Sequence, residues 1–162
     1  MLSPLNASIP LFANKEKINY NKTIIRQVRY KSMKATLLAY NINDSDKKTK
    51  LGRIFGFLGF RLVAVNKEMF NVPIGELVGT TKLEEREPYQ GDELTEEMLV
   101  IGTDKEDDLN KALLLMRDEK ISVALKAMIT PNNQSWSGID LYHEIKKEHE
   151  YMKKMEAERK QD

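Results

Sequence analysis

Cysteine is absent from this chain of 162 residues, so it can build no disulfide framework, thiolate metal site or cysteine nucleophile. Its apolar runs all fall short of the roughly 18 consecutive residues that a membrane span requires, and the sequence is expected to form a soluble body. Charge of one sign is also lacking. The net charge of +1 leaves no general basic surface for nucleic acid. The segment NINDSDKKTKLG, which follows the first expected strand, contains neither G-x-G-x-x-G nor G-x-x-x-x-G-K-[ST]. Without those glycines the backbone cannot approach a pyrophosphate, and Asp44 and Asp46 would repel one, so nucleotide binding of the familiar kinds is disfavoured.

What the chain does contain, 41% hydrophobic and 31% charged residues, suits one ordinary domain with some extra tail. The lack of cysteine agrees with a cytoplasmic location. Charge is unevenly placed, however. Residues 1–32 hold six basic residues against Glu16 alone, +5, whereas the remaining 130 hold 20 basic and 24 acidic residues, −4. Residues 1–32 show no helix or strand period and read as a disordered or loosely attached basic extension, with Met33 as the true start directly before the first strand. Two other readings compete. As a targeting peptide the stretch fails, because its apolar clusters at 9–13 and 24–25 are too short and misplaced. As a basic arm it would touch RNA or an acidic partner, the one route by which nucleic acid enters.

From residue 34 the pattern alternates between strands and helices. Residues 34–42, KATLLAYNI, read as a strand, followed by N-cap candidates in Asn43, Asp44, Ser45 and Asp46. Leu51, Ile54, Phe55 and Leu58 repeat at helical spacing and Gly59 closes that helix. Residues 60–65 form a second strand candidate, and 71–78 a short helical turn with Pro73 near its start and Gly79 at its end. The acidic stretch 80–97 reads as solvated loop. Residues 98–102 are a third strand, Thr103 and Glu106 have capping-box spacing, and Leu109, Ala112, Leu113 and Met116 mark the buried stripe of a helix running to about Glu119. Residues 124–130 form the fourth strand, stopped by Pro131. The last helix starts at Ser137, capped with Asp140, and runs to about Lys154, burying Leu141, Tyr142, Ile145 and Met152, with residues 155–162 as a frayed tail.

This order favours a single α/β domain over residues 33–154, with a mainly parallel four-stranded sheet flanked by helices. The rival is a ferredoxin-like α+β core with an added C-terminal helix. The stretch 80–97 decides between them: a crossover gives the first, a hairpin the second.

Candidate chemistry concentrates after the fourth strand. Asn132 and Asn133 follow Pro131, and Trp136, the only tryptophan, stands at the mouth of the last helix. A strand, polar turn and helix start is where open α/β sheets bind ligands. Thr130, Asn132, Asn133 and Trp136 would line a pocket, with amides to fix polar groups and an indole to stack on a planar one. The plainer alternative is that the asparagines satisfy the turn and Trp136 covers the core. His143 and His149 are six apart, so their rings point about 120° from each other on a helix and cannot share one metal; no metal site is expected. Ser135 and Ser137 lack any G-x-S-x-G context.

Lys126, Ala127, Thr130, Asn133 and Trp136, followed by Leu141, Glu144, Glu148 and His149, resemble the pattern of small bacterial proteins grouped as a domain of unknown function, number three-seven-eight-three. The resemblance covers the last third of the chain firmly, the part from Met33 loosely and residues 1–32 not at all. It implies a bacterial, cytoplasmic protein and brings no activity, cofactor or partner with it. Two functional classes follow. The leading one is a non-catalytic binding or regulatory module, homo-oligomeric or partner-bound, with Asn132, Asn133 and Trp136 on its surface. The alternative is a small enzyme using Thr130, Asn133 and His149.

Overall fold

Successive residues of a strand point to opposite faces, and in β1 (Thr36–Tyr40) and β3 (Met98–Gly102) all five are buried, as a strand covered on both faces requires. The computed structural model describes residues 34–161 and places these two at the centre of a sheet of order β2-β1-β3-β4, with β2 (Arg61–Val65) and β4 (Leu125–Met128) at its edges. The readings made for residues 1–32 and Met33 lie outside the described residues.

Helix α1 (Ser45–Phe57) joins the parallel pair β1 and β2, and α3 (Glu106–Asp118) joins the parallel pair β3 and β4, while β1 and β3 run antiparallel. The sheet is thus mainly parallel and the architecture is α/β. A ferredoxin-like core would insert a strand between two strands linked by a helix, but each linked pair here is hydrogen-bonded directly. Residues 80–97 form no hairpin: the chain crosses from the edge strand β2 past β1 to β3, which then runs antiparallel to β1.

Two further helices complete the layers: the short α2 (Ile74–Val78) and the long α4 (Gly138–Arg159). On one face Leu37, Ala39, Leu99 and Ile101 meet Leu51 and Phe55 of α1 and Ala112 and Met116 of α3. On the other, Leu38, Tyr40, Met98 and Val100 meet Ile74 of α2 and Leu141 and Tyr142 of α4.

Most ends are set by the expected residues. Asp44 accepts from Asp46 N and Lys47 N at the start of α1, and Gly59 (φ 86°) and Gly79 (φ 88°) follow α1 and α2 in the left-handed conformation. Four details differ. Thr103 is no N-cap: its hydroxyl accepts from Lys105 N two residues on, and α3 begins only at Glu106. Leu113 lies on the exposed side of α3, because Ala112 and Met116 alone set its buried line. Helix α4 continues past Lys154 to Arg159, with Glu156 and Lys160 paired across its last turn. Met152 is 63% exposed, since no strand lies beneath that part of α4.

The two halves repeat one another. Each runs strand, helix of 13 residues, parallel strand, turn, helix. Helices α1 and α3 end alike: Phe60 N donates to Phe55 O and Ile121 N to Met116 O, both at 2.8 Å and 61 residues apart in sequence. Between the halves Pro73 pairs with Ser137 in an antiparallel bridge. Around it Ile74 N donates to Trp136 O and Gly138 N to Val72 O, while Gly75 N donates to Gln134 O and Ile139 N to Phe70 O. Each bond is the other's image under a shift of 64, so a pseudo-two-fold axis passes through this bridge and through the β1·β3 pair near Leu38 and Val100.

The repeat identifies two weak ends in the second half. Lys105 stands where the first half has the cap Asp44, and Lys120 takes φ 59° where the first half has Gly59. Lys105→Ser supplies an oxygen to the orphan amides of α3, and Lys120→Gly relieves a left-handed side chain. Each should raise stability by roughly 1 kcal/mol. A urea midpoint that stays put or falls for both variants would show that these ends do not limit α3.

Candidate functional site

Strand β4 is an edge. Leu125 N and Ile129 N donate inward, to Glu97 O at 3.2 Å and Ile101 O at 2.9 Å, so the intervening Lys126 and Met128 turn their peptide groups outward. Asn133 Nδ2 donates to Met128 O at 3.0 Å and so covers the last outward carbonyl of the strand.

The turn after β4 is closed by its own side chains. Thr130 N donates to Asn133 Oδ1 at 2.8 Å and Asn133 N donates to Thr130 Oγ1 at 3.2 Å. Trp136 N then donates to Asn133 O at 2.9 Å, and Ser137 Oγ accepts from Asp140 N at 3.1 Å to cap α4. The indole of Trp136 projects from this framework and is 41% exposed.

Tyr142 fixes the direction of α4. Its hydroxyl accepts from Thr95 N at 3.1 Å and Glu96 N at 3.0 Å, and lies 3.1 Å from Thr95 Oγ1, tying the helix to the segment that enters β3. Lys146 Nζ adds a bond to the same Thr95 hydroxyl. Near the start of α4, Gly138 packs against the ring of Tyr40, which is fully buried. The Tyr40 hydroxyl has no hydrogen-bond partner among the described residues, and burial pushes its phenol above the ordinary range.

Between β4, the turn and α4 lies an open groove of about 630 Å³. Its floor is Leu125, Ala127, Leu141 and Ile145, residues that belong to or pack on the core layer. Asn132, Asn133 and Trp136 form one end, and Glu144, Glu148, His149 and Met152 the α4 wall.

Four of the five residues singled out in the sequence, Asn132, Asn133, Trp136 and His149, therefore line one groove. Thr130 stands outside its lining, with its hydroxyl in the turn. Asn133 is at the groove but its carboxamide is engaged at both ends. Among the described residues no group of three or more His, Asp or Glu is placed to hold a metal ion. Nor, among the same residues, is any helix long and apolar enough to cross a membrane.

The reading from sequence missed Ile145, Glu148 and Met152 as groove residues. A signal was there. A helix of 22 residues runs about 33 Å at 1.5 Å per residue, while a strand of four spans about 13 Å. The apolar stripe of α4 must outrun the sheet, and its far end cannot be buried by it.

Residues 97–152 match the family described as "Domain of unknown function (DUF3783)". That span runs from the residue before β3 into the second half of α4, one half of the pseudo-two-fold, and it contains every residue lining the groove. No curated protein matches the chain. No solved structure matches it either.

Proposed function

We propose that this protein is a non-catalytic binding module whose contact surface is the groove between β4 and α4. The observation that carries this reading is an apolar floor continuous with the core, open at a sheet edge and flanked by the exposed Trp136 and Met152. Exposed apolar surface gathered in a concave place, rather than scattered, marks interaction sites. Aromatic and methionine side chains are also the types enriched where partners dock. Thr130 and Asn133, two of the three polar groups an enzyme at this turn would use, are engaged in holding the turn. Catalysis at this place is correspondingly disfavoured. The basic extension, the cytoplasmic location and the oligomeric state form part of the same proposal: one domain, presenting one groove to another protein.

The test compares the full chain with Met152→Asp and Glu148→Lys, both exposed positions where folding is undisturbed. Affinity capture from cell extract and sedimentation of the purified protein should show a partner or self-association that weakens at least tenfold in both variants. Association indifferent to both changes, or none at all, would remove the groove as the contact surface.

A further inference from the structure

The first half of the pseudo-two-fold contains its own answer to what lies across such a turn. There the chain leaves α2 at Gly79 and comes back, without helix or strand, as a strap over the turn formed by residues 66–72. Tyr89 N donates to Glu68 O at 3.0 Å, and Asn71 Nδ2 donates to Glu87 O at 2.9 Å. The Tyr89 ring packs on Phe70 with centroids 5.7 Å apart. Arg86 Nη2 donates to both carboxylate oxygens of Glu76, at 2.9 and 3.0 Å.

In the second half, 64 residues on, the same positions are Asn132, Ser135 and Asp140 in place of Glu68, Asn71 and Glu76. The turn itself is the same. Met69 N donates to Asn66 O and Val72 N to Met69 O; likewise Asn133 N donates to Thr130 O and Trp136 N to Asn133 O. What differs is the chain that follows, since α4 stays helical where the first half forms its strap. The cleft beside the strapped turn measures about 390 Å³, against about 630 Å³ beside the second. Among the described residues no hydrogen bond reaches Asn132 O or the Ser135 hydroxyl, and no cation pairs with Asp140. Among the same residues Glu148 on the groove wall is without an ion pair and Glu144 holds Lys147 at 3.7 Å, while Lys126, which also lines the groove, directs its ammonium to Val123 O at 2.9 Å.

Resting on the binding-module reading, we propose that the groove takes a non-helical peptide segment of a partner protein bearing a basic side chain, laid across the second turn as residues 86–89 are laid across the first. A peptide N–H donates to Asn132 O, and the Ser135 hydroxyl donates to a peptide carbonyl. An arginine or lysine meets Asp140, which with Ser135 stands beside the groove rather than in its lining, one turn before Glu144, and then the carboxylates of the α4 wall. An apolar side chain covers the indole of Trp136. Main-chain bonds supply affinity and the basic residue supplies selection against acidic segments.

The probe is a synthetic peptide of residues 82–90 carrying Glu84→Gln, Glu85→Gln and Glu87→Gln, titrated into the full chain. Trp136, the only tryptophan, reports the contact by its fluorescence. A saturable change is expected, weakened at least tenfold by Arg86→Ala in the peptide. Asp140→Asn in the protein should weaken the arginine peptide about tenfold and leave the Arg86→Ala peptide unchanged. No saturable change up to millimolar peptide overturns the proposal, as does binding that ignores both Arg86 and Asp140. If the peptides fail while Met152→Asp still abolishes association with a partner, the groove stands and only this occupant is wrong.

Discussion

Gly138→Ala should destabilise the protein by about 2–3 kcal/mol, the upper part of the range for forcing extra volume into a filled interior. A methyl at this position would lie 2.5 Å from Tyr40 Cε1 and 2.6 Å from its hydroxyl oxygen, inside contact distance of a ring that is itself fully buried. Gly75→Ala should cost at least as much. There the new carbon would meet Gln134 O at 2.8 Å, and a backbone carbonyl within the antiparallel ladder cannot turn aside as a ring can. The distinction can be measured. Tyr40→Leu should rescue Gly138→Ala by more than 1 kcal/mol in a double-mutant cycle and leave the cost of Gly75→Ala unaltered. Additive effects in the first cycle would mean that the ring does not limit position 138.

The second large effect is a pair with opposite signs. Tyr142 and Tyr40 are both buried, at 3% and 0% exposure, and removal of the hydroxyl is the same chemical change in each. At Tyr142 it leaves the amides of Thr95 and Glu96 without their acceptor, and Tyr142→Phe should lose about 2 kcal/mol. At Tyr40 the hydroxyl is buried without a partner among the described residues, and Tyr40→Phe should gain about 1 kcal/mol. Chemical denaturation of the two variants reads both signs directly. A loss in both would mean that the Tyr40 hydroxyl is engaged after all.

Local features were legible in the sequence because their causes are local. Gly59 and Gly79 stop helices, Asp44 and Ser137 start them, and Pro131 follows β4, each acting within a few residues of itself. The same locality misled at Thr103. S/T-x-x-E spacing also fits a hydroxyl that bonds the amide two residues on, and that bond formed instead. The antiparallel meeting of β1 and β3 joins residues some 60 apart, from Thr36 with Gly102 to Tyr40 with Met98, so no window of the sequence contains it. The repeat was hidden for a related reason. Pro73-Ile74-Gly75-Glu76-Leu77 and Ser137-Gly138-Ile139-Asp140-Leu141 occupy matching places, but the glycine and isoleucine have exchanged order. Asn132, Asn133, Trp136 and His149 come together at one groove, while the roles of Asn133 and Thr130 depended on who bonds whom within the turn.

The ladder about Pro73 and Ser137 is what a symmetric dimer of half-length chains would show at its isologous interface, with each donor matched by its own copy. Within one polypeptide that equality is no longer enforced. A change that improves a dimer's recognition surface must be made twice and must suit both copies, whereas here one copy can serve the scaffold and the other the outside. The first half has used this freedom to fold its following segment onto itself, and the second has extended a helix away from the same spot. Asymmetry of structure has thus been obtained from a symmetric frame, with the ladder between the halves left intact.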